Sequence, residues 1–267
     1  MLRPPDEQAL AGLDEDGMPA PPSRAFPLGA DQMGRDILSR VVYGARVSLT
    51  VGIAAMLVAT LIGVAIGLLA GFYGGLLETG LLRFTDMNLS LPAILLAIAF
   101  AAVMDGRIVH LHPAALPWHF LDIRLERGVF SLLLIIGFVS WPGMVRVVRG
   151  QVLEMKERPF VEAARALGAS NARLIWRHIL PNILSTIIVL AAMNTANTIL
   201  LEAGLGYLGI GVPEPAPTWG GMIADGQPYF VTAPHIVIVP GIAILVTVLA
   251  LNLLGQGLQE AMEARRR

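Results

Sequence analysis

Glu162-Ala163-Ala164-Arg165-Ala166-Leu167-Gly168, continued from Ala169 to His178 and closed by Ile179-Leu180-Pro181, is a long polar and basic run between strongly apolar ones. Residues 146–178 carry seven basic side chains (Arg146, Arg149, Lys156, Arg158, Arg165, Arg173, Arg177) against three acidic ones (Glu154, Glu157, Glu162). Pro159 suits a first helical position, and Phe160 to Leu167 then reads as a short helix. Gly168 can take the left-handed conformation that ends it. Ser170 can cap a second helix running from Asn171 to His178. Pro181 is expected to end or kink that helix where the chain turns apolar again. The result is a helix–Gly–helix hairpin with a slender first arm, because Ala163, Ala164 and Ala166 keep it thin. On composition alone, a basic connector held by the excess of cytoplasmic positive charge is favoured over a docking element.

The rest of the chain supplies the membrane. Of 267 residues, 55% are hydrophobic and 15% are charged, against about 25% charged in soluble domains. The mean hydropathy is +0.67. Five windows hold no Asp, Glu, Lys or Arg: residues 47–73, 87–104, 128–145, 179–201 and 229–259, the last with its spanning part at 235–254. Such windows are the mark of transmembrane helices. The first would reach about 40 Å as a helix, while the second and third are near the ~17-residue lower limit for a span. Pro92, Pro142 and Pro240 fall inside windows and can kink them. In the first window Gly52, Ala55, Ala59, Gly63, Gly67 and Gly71 recur about every fourth residue, a spacing that favours close helix packing. It also suits a lipid-facing helix.

Several chemistries are excluded or lack residues. There is no cysteine, so disulfides, thiolate metal sites and cysteine nucleophiles are out. The single lysine, Lys156, follows no glycine-rich loop, so the chain does not cradle ATP phosphates in that manner. A net charge of −1 points to no nucleic-acid partner. No Ser/His/Asp arrangement, HExxH motif or carboxylate pair inside a window suggests catalysis or a cofactor. His110, His112 and His119 fall in one loop and could ligate a metal or be ordinary loop residues. Glu202 and Asp225 flank the loop 202–228; they could meet a delivery protein or be solvated loop acids. Met56, Met87, Met104, Met144 and Met193 read as packing residues.

Basic residues set the orientation. The loop 202–228 has none and 146–178 has seven, so the first is expected outside and the second in the cytoplasm. The tail, 259–267, ending Arg265-Arg266-Arg267, is then cytoplasmic, 105–127 lies outside and 74–86 inside. Residues 1–25, rich in Pro, Asp and Glu, read as a disordered tail. Residues 26–46 read as an interfacial segment whose helix is capped by Asp31. With five spans the first 46 residues would lie outside, so a further span upstream is the expected repair. A secondary transporter usually keeps an ionisable residue within a span, which the uncharged windows lack. A scaffold subunit would be separated from a transporter by whether an ATPase and a secreted binding protein are encoded beside it.

The stretch quoted first resembles, through Glu162-Ala163-Ala164, Ala169 after four intervening residues and Ile179-Leu180-Pro181, the coupling loop of permease subunits of binding-protein-dependent ABC importers. Other segments resemble the dipeptide/oligopeptide/nickel branch. They are Pro27-Leu28-Gly29-Ala30-Asp31-Gln32-Met33-Gly34-Arg35-Asp36, Tyr43-Gly44-Ala45-Arg46-Val47-Ser48-Leu49, Trp141-Pro142-Gly143 with Arg146 and Arg149, Glu202-Ala203-Gly204-Leu205-Gly206-Tyr207-Leu208-Gly209, and Trp219-Gly220. Any one is weak; the ordered set, from Pro27 to Leu258, is specific. It implies an all-α polytopic bundle over 47–258, the type-1 ABC importer transmembrane domain, in the cytoplasmic membrane. The implied partners are a second homologous permease, two ATP-binding-cassette ATPase subunits and an extracytoplasmic solute-binding protein, all in membrane lipid. The implied cargo is a di- or oligopeptide or a related small solute, with a nickel or other metal chelate as the alternative. Glu162, Ala163, Ala164, Gly168, Leu180 and Pro181 would couple to the ATPase. Three departures stand out. The family's first span is not seen, and Phe26 replaces a histidine. The loop 105–127 is long, and Glu263-Ala264-Arg265 replaces an expected Asp-Pro.

Overall fold

The computed structural model describes residues 3–104 and 127–264. His110, His112 and His119 lie outside the described residues. In chain order the helices are α1 Ile37–Tyr73, α2 Gly75–Leu89, α3 Ala93–Met104, α4 Arg127–Ser140, α5 Pro142–Lys156, α6 Pro159–Ala166, α7 Asn171–Arg173, α8 Leu180–Tyr207, α9 Trp219–Gly226 and α10 His235–Ala264. A π-helical turn, Leu174–Ile179, joins α7 to α8. Among the described residues, three continuous runs are long and apolar enough to cross a membrane: Ile37–Tyr73, Asn171–Tyr207 and His235–Met262. The bent pairs α2/α3 and α4/α5 raise the number to five if each is one span.

Proline and glycine place the breaks. Pro92 falls in the gap between α2 and α3, and Pro142 is the first residue of α5, where its missing N–H costs nothing. Pro240 lies inside α10 without ending it. Pro181 does not end its helix either. The chain widens to π geometry just ahead of it, so that the Leu180 N–H reaches back to the Ile175 carbonyl. A proline ring presses on the carbonyl four residues earlier, and the wider turn gives it room. Asn182 Nδ2 donates to the His178 carbonyl at 2.6 Å.

The residues divide into two compact units: Met1–Val51, Ile94–Ile135 and Leu200–Leu245 form one, and Gly52–Ala93, Ile136–Ile199 and Val246–Arg267 the other. In the first, two expectations are corrected. The segment read as a disordered tail folds back on itself through bridges Gln8–Arg35, Leu13–Pro19 and Ala30–Asp36. The Ala20 N–H donates to Gly12 (2.9 Å) and the Ala30 N–H to Ala20 (3.0 Å). Composition misled because the order comes from backbone pairing: Gly12 packs so closely on Gly34 that a Cβ would sit 2.5 Å from the Gly34 oxygen. Phe26 is the apolar anchor, at 1% exposure.

The second correction concerns α1, which runs unbroken from Ile37 to Tyr73, with no separate interfacial helix at 26–46. Its cap is Asp36, whose Oδ2 accepts from the Ser39 N–H (3.1 Å) and hydroxyl (2.7 Å). Asp31 instead accepts from the Met33 and Arg35 N–H groups, both at 2.9 Å. It also pairs with Arg35 Nε at 2.6 Å and Arg40 Nε at 3.4 Å. Arg35 reaches the half-exposed Glu214 at 3.1 Å. Asp31, Arg35 and Arg40 are all buried, a state charged groups tolerate only when paired.

The second unit holds the larger apolar core, built from Met56, Ala59, Leu68, Trp141, Met144, Val148, Val152, Val161, Leu174, Ile179, Ile183 and their neighbours. The small residues of α1 do pack closely here. A Cβ on Gly63, Gly67 or Gly71 would come within 2.5, 2.7 and 2.8 Å of the Met144, Val148 and Val152 Cβ atoms. Each glycine thus admits one turn of α5.

Candidate coupling hairpin

Residues 157–173 fold as the sequence suggested, and the second arm then continues as the π-helical turn Leu174–Ile179. The α5 helix ends at Lys156, Arg158 is extended at ψ 140°, and Pro159 starts α6. The far end of α6 is closed by paired capping bonds: the Gly168 N–H donates to Arg165 and the Ala169 N–H to Ala164, both at 3.0 Å. This is a Schellman closure, which needs its penultimate residue left-handed. Gly168 supplies that at φ +85°. Ser170 then caps the second arm, its hydroxyl accepting from the Arg173 N–H at 3.4 Å.

The hairpin has two faces. Val161, fully buried, enters the core with Leu174, Ile175 and Ile179, while Ala164 and Ala169 pack at its margin. Burying one valine contributes about 1.5–3 kcal/mol, so the short α6 is held by its inner face. Glu162, Ala163, Arg165, Ala166, Leu167 and Gly168 form the exposed edge. Glu162 stands in the first turn and Arg165 in the last, the signs that complement the helix dipole.

Of the six residues the sequence singled out, Glu162, Ala163 and Gly168 therefore share this exposed edge. Ala164 does not keep the outer surface slim; it turns to the core, as does Leu180. Pro181 is exposed at the start of α8. Three residues were missed. Leu167 is 89% exposed, Trp176 67% and Phe160 44%. Their signal was available: large apolar residues inside an otherwise polar run, where water gives them no reason to be.

Two acids expected beside a loop are placed elsewhere. Glu202 lies within α8 and is fully buried, so it is neither a solvated acid nor a contact for a delivery protein. Ser48 stands beside it, yet neither carboxyl oxygen has a hydrogen-bond partner. Asp225 lies in α9, half-buried; burial first and the nearby Glu214 second push its carboxyl above the usual range, against the pull of Arg40 and Arg35. Among the described residues no group of three His, Asp or Glu side chains converges to hold a metal.

Comparison with known proteins gives the family. Residues 63–267 match the model of the family described as binding-protein-dependent transport system inner membrane component. The chain belongs to this family. It is 38% identical over 253 residues to the glutathione transport system permease protein GsiD of Pectobacterium atrosepticum, covering 95% of this chain and 77% of that one. It is 38% identical over 244 residues to the dipeptide transport system permease protein DppC of Alkalihalophilus pseudofirmus, covering 91% and 73%. Among solved structures, inward-facing MetNI methionine ABC transporter superposes with a TM-score of 0.63 at 18% identity, over 83% of this chain and 95% of that one. An amino acid ABC transporter gives 0.56 at 13%, over 85% and 94%. These two establish the fold. The chain is thus the multi-pass inner-membrane permease component of an ABC importer, a family that works with an ATPase and a solute-binding protein.

Proposed function

We propose that this permease carries short peptides, of the dipeptide or glutathione class, and that its α6–Gly168–α7 hairpin is where the ATPase engages. The cargo reading rests on relatives named for glutathione and dipeptide transport. In this reading a second homologous permease completes the pathway, two ATPase subunits sit on the cytoplasmic side with the hairpin and the C-terminal tail, and a solute-binding protein delivers from outside. The chain itself performs no chemistry.

One observation carries the coupling role. The hairpin is rigid inside and unsatisfied outside: Val161 and the capping bonds fix its shape, while Leu167 stands 89% exposed beside Glu162 and Arg165. An apolar knob ringed by charges is what a partner's cleft can grip. In the reconstituted complex, Gly168→Val and Glu162→Ala should each lower solute uptake and substrate-stimulated ATP hydrolysis, with membrane insertion intact. Gly168→Val should do more, because a left-handed backbone costs an L-residue about 1–2 kcal/mol. Full uptake in both variants would contradict the proposal.

A further inference from the structure

The helix α2 makes a different kind of attachment from its neighbours. Its one fully shielded residue is Thr85. Leu76 is 93% exposed and Met87 70%, with Leu77 and Phe84 also open. Leu82 packs at the margin of the apolar core, so apolar contact holds α2 only in part. Ion pairs and a ring stack against α5 and the residue before it supply the rest. Arg149 Nε donates to Glu78 Oε1 at 2.6 Å, and its Nη2 pairs with the same oxygen. Arg146 Nη2 meets Asp86 Oδ1 at 2.8 Å. The Phe84 ring stacks on Trp141, centroids 5.5 Å apart and planes 18° from parallel. Trp141 is itself fully buried at the α4–α5 break, its indole N–H without a partner.

The opposite side of α5 is fixed by the glycine contacts to α1. Near the hairpin, Lys156 Nζ donates to the Gly71 carbonyl at 3.3 Å. The helix that leads into the hairpin is therefore clasped twice, by apolar interdigitation on one side and by charge on the other. The Arg149–Glu78 pair is the better sheltered of the two ion pairs, at 33% and 20% side-chain exposure against 59% and 57% for Arg146–Asp86. Shelter from solvent strengthens such a pair.

We propose that the Arg149–Glu78 pair, with the Phe84–Trp141 stack, is a positioning clasp that makes α2 travel with α5, so that displacement of the hairpin is passed on to α2 rather than dissipated between the helices. This rests on the hairpin being the ATPase contact. Close packing holds α1 to α5 along three turns; α2 has Leu82 at the core margin and the Phe84 stack, and depends on the ion pairs as well.

The test uses the complete complex in proteoliposomes and reads ATP hydrolysed per solute imported, alongside ATPase co-purification. Glu78→Gln and Arg149→Gln should each retain the ATPase and raise the ratio by about threefold, the scale of a half-sheltered pair. Phe84→Leu should raise it less. The double variant Glu78→Arg with Arg149→Glu should restore the ratio, which it would not do if either side chain acted through some contact other than the pair. An unchanged ratio in the single variants, or a raised ratio that the double variant fails to restore, overturns the clasp while leaving the hairpin reading intact. Failure of the unmodified permease to hold an ATPase overturns both.

Discussion

The stretch 31–40 and the hairpin 157–179 both carry charge, yet they use it in opposite ways. The first buries it: Asp31, Arg35 and Arg40 lie at 2–3% exposure, tied to one another and to Glu214. The second displays it: Glu162, Arg165, Arg173 and Arg177 all face outward while Val161, Leu174 and Ile179 face in. Charge turned inward fixes a shape, because each ion must keep its partner. Charge turned outward costs the fold nothing and is free for another molecule. The difference separates a segment that finishes a structure from one that offers a surface.

The contrast breaks most readily at Asp31. Asp31→Ala would leave Arg35 and Arg40 buried beside a lost counter-ion, and stability should fall by about 3–5 kcal/mol. A thermal melt of the purified permease should show it, and a melt unchanged from the parent would mean that the cluster is wetter than its exposure implies. Arg165→Ala should do the reverse and make the smaller change. Its stability effect should stay within about 0.5 kcal/mol, while uptake drops about two- to fivefold, the reach of a partly exposed charged contact. A large loss of stability there would show that the outer edge is structural after all.

The hairpin was legible because its rules are local. Pro at the first helical position, Gly at the left-handed closure and Ser at the next cap each act within four residues, and Pro159, Gly168 and Ser170 all took those places. What the sequence hid depended on distance along the chain. Arg35 meets Glu214 across 179 positions, and no periodicity near either residue reports it. The order of residues 3–36 was missed for the same reason, since backbone pairing of Gly12 with Ala20 and of Ala9 with Gly34 leaves no side-chain pattern. Glu202 was misplaced because helix α8 outlasts its uncharged window and reaches Tyr207. Of the two outcomes expected at Pro181, ending the helix is not seen, because a wide turn absorbs the proline. The inward turn of Ala164 followed from packing, which alanine's small size does not announce.

Membership of the importer family fixes what the chain is part of; the outward edge of α6 is where the account can be tested most directly. The sequence contains no cysteine, so a single Leu167→Cys is chemically unique. In the assembled importer, a short bifunctional reagent should join this cysteine to the ATPase subunit, and added ATP should change the yield. Efficient labelling of the same cysteine by a membrane-impermeant reagent applied from outside the cell, with no ATPase adduct, would contradict the account.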